Sequence, residues 1–271
     1  MGGCGAMKGA VLVLGAGDMG SAVARALHAD GWPVAIQDDP APTHPRRGMA
    51  FADALWDGCA TLAGTLARRA DVARALDGIL AAREAIAITA LPLESVLAAG
   101  LWVALVDARM RKRAVPPDRR GLAPLAIGLG VGFVPGANCD IAIETSWEAL
   151  GRVLRTGETL PLRGEPRAIA GVGRERAVYA PGGGIVRTTH RIGDAVAAGE
   201  PVPELGPHVL RAPLAGCLRG LVRGGAAVQA GAKVLEVDPR GDPALCFGLG
   251  ERPRRVADGV RAVLAAAVAR P

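Results

Sequence analysis

The sequence predicts an α/β domain followed by a small all-β module and a closing helix. Three observations lead to this prediction. Short apolar runs alternate with helical patterns through the first part of the chain, as in a parallel sheet with crossover helices. A Gly-x-Gly-x-x-Gly motif stands at residues 15–20, between the first run and the first helical pattern. After residue 173 Gly and Pro become dense, and residues 180–205 recur at 212–237 without a gap.

The first domain is expected to hold strands that are buried on both faces, because its apolar runs are short and nearly continuous. These predicted strands cover residues 9–14, 33–37, 85–90, 102–106, 122–127 and 141–143. Helical spacing of apolar residues predicts helices over 18–30, 51–69, 71–83 and 252–269. A short helix is also expected between the third and fourth of these strands.

The glycine motif has the layout of a dinucleotide-binding turn. Gly15 permits the tight turn, Gly17 lets the backbone approach a pyrophosphate, and Gly20 lets the helix pack on the strand. Asp18 opens the helix, whose free N–H groups and positive dipole end favour a phosphate. Asp38 ends the second predicted strand, where an acid that binds ribose belongs. We therefore predict a Rossmann-like, doubly wound parallel sheet that binds NAD(P) or another nucleotide.

The choice between NAD and NADP stays open. Asp38 and the neighbouring Asp39 disfavour a 2′-phosphate by repulsion, whereas Arg46 and Arg47 favour one if their loop folds back. The alternative for both arginines is a solvated loop. A second glycine-rich strand end carries Gly128 and Gly130, which we expect at the same crevice or in an ordinary turn.

Candidates for chemistry are few. Proton transfer in an oxidoreductase would fall to Asp107, to Glu144 or, less favourably, to Lys112. Cys246 would be reactive if Arg240 lowered its pKa, and otherwise is a buried structural cysteine.

The repeat resembles two halves of a biotinyl- or lipoyl-type barrel-sandwich hybrid module. Twelve of its 26 aligned positions are identical. In such modules the modified lysine projects from the hairpin between the halves, but here residues 205–209 contain no lysine. Lys233 aligns with Pro201 inside the second half, so we expect no covalent biotin or lipoate. The module is expected to act as a lid or as a docking unit.

The composition of the chain limits the classes of ligand and partner that we expect. The net charge of +6 favours anionic ligands, yet the arginines are dispersed and aromatics make up only 3% of the chain, so nucleic acid is not expected. Five scattered cysteines lack metal-ligand spacing, which predicts a reducing, cytoplasmic setting and no metal site. The chain lacks the roughly 20 uninterrupted apolar residues of a membrane span, and its start does not read as a secretory signal. The small-residue-rich final helix could support a homo-oligomer.

The domain boundaries predicted from these patterns are 1–172, 173–247 and 248–271.

Taken together, the motifs resemble the selenium-dependent molybdenum hydroxylase system proteins, the YqeB-like accessory family, from about residue 10 to residue 264. The resemblance rests on short motifs in a shared order: Gly15-Ala-Gly-Asp, Pro45-Arg-Arg47, Val106-Asp-Ala108, Ala126-Ile-Gly-Leu-Gly130, Glu144-Thr145, and Asp238-Pro-Arg-Gly-Asp242 with Cys246-Phe247. The chain departs from the family pattern after Thr145 and at residues 89–91.

The resemblance implies a Rossmann-like domain fused to a barrel-sandwich module. It also implies a role in the maturation or support of molybdenum hydroxylases of the xanthine dehydrogenase type, with a nucleotide or a molybdopterin-type cofactor. Two other hypotheses remain from the residues themselves, an NAD(P)-dependent oxidoreductase and a scaffold that has lost its ligand.

Overall fold

A computed structural model describes residues 9–111, 114–161 and 167–268 of the chain. These residues form one nine-stranded mixed sheet, two four-stranded antiparallel sheets and a long final helix. The predicted combination of an α/β part with an all-β part is therefore confirmed.

The nine-stranded sheet is parallel through its centre. In chain order its strands are β1 (Ala10–Leu14), β2 (Val34–Gln37), β3 (Cys59–Leu62), β4 (Thr65–Arg69), β5 (Ile86–Thr89), β6 (Trp102–Asp107), β7 (Ala126–Leu129), β8 (Ile141–Ile143) and β9 (Val153–Leu154). They lie in the order β3-β4-β5-β2-β1-β6-β7-β8-β9, and only the edge strands β3 and β9 pair antiparallel. Six neighbouring strands, in the spatial order β5-β2-β1-β6-β7-β8, follow the doubly wound arrangement. In this arrangement the chain builds the sheet outwards from β1, first in one direction and then in the other.

Helices cover both faces of this sheet. They are α1 (Asp18–Ala29), α2 (Ala54–Asp57), α3 (Ala73–Ala82), α4 (Leu93–Ala99) and α5 (Glu251–Val268). One face is covered by α1 and α5, and the other by α3 and α4. The described residues that join β6 to β7 and β7 to β8 contain no α-helix. The apolar stripe of α5, with Val256 and Val260, packs near Ile141 and Ile143 of β8 instead. The last helix of the chain therefore completes a layer of the first domain.

Two predictions for the first domain need correction. The predicted helix over residues 51–69 is wrong, since α2 ends at Asp57 and a β3–β4 hairpin follows. Gly58 and Gly64 both have positive φ. Gly58 ends α2, and Gly64 lies in the turn between β3 and β4. The strand predicted at 122–127 lies later, as β7.

The all-β module is built from two interlocked halves. Its strands are β10 (Ala177–Tyr179), β11 (Gly184–Arg187), β12 (Ala195–Val196), β13 (Pro201–Leu205), β14 (His208–Arg211), β15 (Gly216–Leu221), β16 (Ala227–Val228) and β17 (Lys233–Asp238). The starts of β11, β12 and β13 at 184, 195 and 201 recur in β15, β16 and β17 at 216, 227 and 233. The sheets are β10-β17-β15-β12 and β14-β13-β11-β16, so each half lends its short middle strand to the other half's sheet.

Replacing Gly78 by Ala is expected to stabilise the protein by about 0.5–1 kcal/mol. Gly78 lies on the exposed side of α3, and a Cβ there would meet no atom within 4 Å. Urea unfolding followed by circular dichroism checks the change. A loss of stability would show that this helix surface is covered in the folded protein.

Candidate functional site

The glycine turn lies where the strand order of the large sheet reverses. β1 pairs with β2 on one side and with β6 on the other, so the turn after Leu14 stands at the switch point where open α/β sheets bind ligands. Gly15 has a φ of 102°, a conformation that favours glycine. A Cβ at Gly20 would lie 1.9 Å from the Gly15 carbonyl oxygen, so only glycine lets α1 approach this closely.

Asp38 follows β2 and contacts the turn. Its Oδ2 accepts a hydrogen bond of 2.6 Å from the N–H of Ala16, and its Oδ1 accepts one of 2.8 Å from Asp39. Burial raises the pKa of Asp38, although these two hydrogen bonds partly oppose the shift. The carboxylate therefore lies beside the turn, as a ribose-binding acid would.

His44 sits on the N-terminus of α1. The N–H of Asp18 donates a hydrogen bond of 3.2 Å to His44 Nε2, and a Cβ at Gly17 would lie 3.1 Å from His44 Nδ1. Burial lowers the pKa of His44 below its ordinary 6.5, so the ring is neutral at pH 7 and can accept this bond. The imidazole occupies the position that a phosphate oxygen would take at a helix N-terminus.

Asp18 supplies the helix N-terminus with a carboxylate of its own. Its Oδ1 accepts from the N–H of Met19 at 3.0 Å, and its Oδ2 pairs with Arg46 at 3.1 Å. Burial alone would raise the pKa of Asp18, but His44, in its protonated form, and the guanidinium of Arg46 outweigh it and hold the pKa below its ordinary value. A phosphate entering the turn must therefore displace His44 and share the site with this negative charge.

Arg46 joins the turn to the β module. Besides Asp18, its guanidinium binds both carboxylate oxygens of Glu236 at 3.0 Å. Glu236 has no exposed side-chain surface and also pairs with Arg176 at 3.2 Å and Lys233 at 2.8 Å. One buried carboxylate thus binds three cationic side chains. Arg46, which was predicted to bind a phosphate, is one of them.

The stability of the protein is expected to fall below about pH 4.5 in part through Glu236. Burial alone would raise the pKa of Glu236, but Arg46 and Lys233 outweigh it and hold the pKa far below its ordinary 4.5. As pH falls, Glu236 is therefore protonated in the unfolded chain before it is protonated in the folded protein. The ionised carboxylate thus contributes to the free energy of unfolding above its ordinary pKa, and this contribution is lost as pH falls towards the pKa of the folded state. Urea unfolding between pH 6 and pH 3 measures the loss. Parallel pH curves for the wild type and Glu236→Ala would contradict the assignment.

The other predicted phosphate-binding residues have structural contacts. Arg47 donates through Nε to both oxygens of Asp53, at 2.8 and 3.0 Å. A Cβ at Gly128 would lie 2.1 Å from the ring of Phe133. Gly130 has a φ of 80°, and a Cβ there would lie 2.6 Å from Thr145 Oγ1. The second glycine-rich strand end therefore allows close packing at the same edge of the sheet.

Asp107 is buried at the end of β6. Its Oδ2 accepts from Arg119 Nε at 2.9 Å, and its Oδ1 accepts from the N–H of Arg109 at 3.2 Å. Both oxygens thus hold the chain that leaves β6. Lys112, the weakest candidate for proton transfer, lies outside the described residues.

Glu144 is also fully buried, at the end of β8. Its two oxygens accept three backbone N–H groups at 2.6–2.7 Å, from Thr145, Ser146 and Leu160. These contacts suit a carboxylate that organises a loop.

Cys246 is expected to resist alkylation in the folded protein. The residue is fully buried, and burial raises the pKa of its thiol to about 11, so little thiolate exists at pH 7.5. In a C4S/C59S background, iodoacetamide should label Cys246 only after urea is added. Rapid labelling of Cys246 in the native protein, distinguished from Cys139 and Cys217 by peptide mapping, would instead support the reactive-thiol hypothesis.

None of the helices in the described residues is long and apolar enough to cross a bilayer. Among the same residues, no group of three or more His, Cys, Asp or Glu side chains is placed to hold a metal ion. A shallow groove does lie near Gly100, Trp102 and Pro124, but that is the amino edge of β6 and β7, opposite the edge where open α/β sheets bind ligands.

The fold and the turn define an α/β protein with a glycine turn at the switch point of its large sheet and a duplicated antiparallel module. In sequence the chain is similar to the uncharacterized protein YqeB of Escherichia coli (strain K12), with 36% identity over 254 residues. These residues cover 92% of this chain and 46% of that protein, so the chain spans about half the length of that curated relative. The similarity supports the resemblance to YqeB-like proteins.

No family model matches the chain. Among solved structures, the product-bound ectoine utilization protein EutE (DoeB) from Ruegeria pomeroyi matches 31% of this chain and 27% of its own, with 20% identity and a TM-score of 0.23. An overlap this small carries no functional argument.

Proposed function

We propose that the protein is a cytoplasmic accessory protein for a molybdenum hydroxylase of the xanthine dehydrogenase type. In this proposal it binds a nucleotide or another phosphate-bearing cofactor, including a molybdopterin-type one, at the turn of residues 15–20. The observation that supports binding is the geometry of that turn, with Gly15, Gly20 and Asp38 placed at the switch point of the sheet. The client role is supported by the motif resemblance to YqeB-like proteins.

In the bound state, His44 leaves the N-terminus of α1 and a phosphate oxygen takes its place on the N–H of Asp18. The helix dipole and that N–H then stabilise the negative charge. Asp38 would accept a hydrogen bond from a ribose hydroxyl. Because Asp38 and Asp39 both disfavour a 2′-phosphate, NAD is favoured over NADP among the dinucleotides.

We infer that the β module is of the barrel-sandwich hybrid type, because its halves interlock through β12 and β16. The hairpin between the halves joins β13 to β14 through Gly206 and Pro207 and contains no lysine. Covalent carriage of biotin or lipoate is thus not proposed. Instead the module covers the crevice, since Glu236, which also binds Lys233 of its own strand, accepts hydrogen bonds from Arg46 beside the turn.

Isothermal titration calorimetry with NAD(H), NADP(H), CTP, GTP and molybdopterin nucleotides tests the binding part of the proposal. At least one of them should bind with saturable heat, and inorganic pyrophosphate should compete with it. The absence of binding by all of them would refute a ligand site. Co-expression with a xanthine dehydrogenase-type enzyme tests the client part, because the molybdenum content and activity of that enzyme should rise.

A ligand-free scaffold is the second candidate function. It is favoured by the N–H groups of Asp18 and Met19, which already donate to side chains of the protein itself. The two functions differ in their response to Gly17→Ala, which places a methyl group between the turn and any phosphate. A scaffold would still support the hydroxylase, whereas a ligand-binding accessory protein would lose that activity. The oxidoreductase hypothesis is less supported, because the buried carboxylates of Asp107 and Glu144 are both engaged.

A further inference from the structure

The two halves of the repeat carry the same charged residues in different surroundings. Arg187, Arg191 and Glu204 of the first half align with Arg219, Arg223 and Glu236 of the second. All three residues of the first half are exposed. In the second half Glu236 is fully buried and the two arginines are partly buried, so one half is covered and its counterpart is not.

The cover of the second half is a segment of the first domain, residues 44–57. Arg223 donates to both oxygens of Asp57 at 2.5 and 2.6 Å and lies 5.5 Å from the centre of the Trp56 ring. Arg46 of the same segment binds Glu236. The segment therefore binds the second half through the guanidinium of Arg46 and through the carboxylate of Asp57 on the short helix α2.

The matching face of the first half is uncovered. Arg187 pairs in register with Glu204, and Glu204 pairs with Val209, so the three form a row across β11, β13 and β14. Ile185 and Val209 are 57% and 50% exposed, which leaves apolar surface beside the charges. At the position aligned with Ile185, Cys217 is only 1% exposed.

Arg191, the residue aligned with Arg223, is exposed in the loop that follows β11. A Cβ at Gly193 would lie 3.0 Å from Phe247, much as one at the aligned Gly225 would lie 4.0 Å from Trp56. Phe247 is 51% exposed. Within the described ranges, no carboxylate lies at ion-pair distance from Arg187 or Arg191, so the counterpart of Asp57 is missing.

We propose that this face, formed by Ile185, Arg187, Glu204 and Val209, together with Arg191 of the following loop, docks a protein segment with the chemistry of residues 43–58. Such a segment presents an arginine to Glu204 and carboxylates one helical turn apart, like Asp53 and Asp57, to the arginines of the face. Bidentate pairs of this kind combine geometric selectivity with strength, and arginine is one of the residues enriched at the centre of interfaces. The proposal is independent of any ligand at the glycine turn.

The test is an NMR titration of the full chain with a synthetic peptide of residues 43–58. Amide shifts are expected at Arg187, Arg191 and Glu204. Arg191→Ala should weaken the peptide about tenfold, as should a peptide with Asn at positions 53 and 57. Arg74→Ala, an exposed arginine on α3, is the matched control and should leave binding unchanged.

Three outcomes would overturn the proposal. The first is no shift at millimolar peptide. The second is a set of shifts confined to Arg219, Arg223 and Glu236, which would mean that the peptide only exchanges with the segment already bound. The third is self-association of the wild type through this face without peptide, since the occupant would then be a second copy. As a control, urea unfolding of Arg191→Ala establishes that the variant is folded before its affinity for the peptide is measured.

Discussion

Replacing Glu236 by Ala is expected to lower the free energy of unfolding by about 3–5 kcal/mol. The carboxylate is completely buried and binds Arg46, Arg176 and Lys233 at 2.8–3.2 Å. Its removal leaves the nearly buried guanidinium of Arg176 and two half-buried cations close together without their shared counter-charge. Burying an unpaired charge costs far more than an exposed ion pair contributes.

The repeat provides the control for this experiment. Glu204 is the aligned residue of the first half, but it is exposed and has no ion-pair partner among the residues that the structure describes. Glu204→Ala should therefore change the stability by no more than about 0.5 kcal/mol. Urea unfolding at pH 7 measures both variants. A similar small loss in the two would mean that the contact between the α/β part and the β module does not depend on Glu236.

Replacing His44 by Ala is expected to raise the affinity for inorganic pyrophosphate about fivefold to tenfold. The imidazole competes for the N–H of Asp18, and one hydrogen bond is worth about 1 kcal/mol net, which corresponds to roughly this factor. Removing the ring also opens the space over Gly17. Calorimetry with pyrophosphate reports the change without requiring the identity of the natural ligand.

Two variants make the His44 result specific. His44→Gln keeps an acceptor in the side chain and should show a smaller gain in affinity. His208→Ala removes an exposed histidine of the β module and should leave affinity unchanged. Weaker binding by His44→Ala would show that the ring helps to hold the ligand rather than excluding it.

Much of the parallel sheet was predictable because buried strands and their following turns have local signals. The strand at 141–143 was placed correctly, as was α5, and the glycine turn falls between β1 and α1 as predicted. The hairpin at β3 and β4 was missed because its Ala- and Leu-rich sequence has apolar spacing that also fits a helix. The packing of α5 against β8 joins segments far apart in the sequence, and no local pattern reports it.

The backbone of the candidate site and the position of Asp38 beside the turn were predictable, but the other side chains of the site were not. Gly15 and Gly20 reflect local steric needs, which single residues reveal. The position of His44 depends on how the proline-rich loop after β2 folds back, and Arg46 meets Glu236 across 190 positions of the chain. Arg252 also approaches the crevice, where it donates to the carbonyl of Thr145 at 2.7 Å. In the sequence these residues look like ordinary solvated charges.

The repeat illustrates the same limit. Its alignment identifies the paired positions Glu204 and Glu236, but not that one is exposed and the other buried. The asymmetry arises from which half meets the first domain, which is a tertiary property.

The most direct test of ligand binding at the glycine turn is a ¹⁵N–¹H NMR titration of the wild-type protein with the same panel of nucleotides. We expect saturable shifts in the amide signals of Gly17, Asp18, Met19 and Gly20, together with a shift in the signals of the His44 ring as the ring leaves the N-terminus of α1. Unchanged turn amides at millimolar nucleotide, or shifts confined to other parts of the protein, would contradict it.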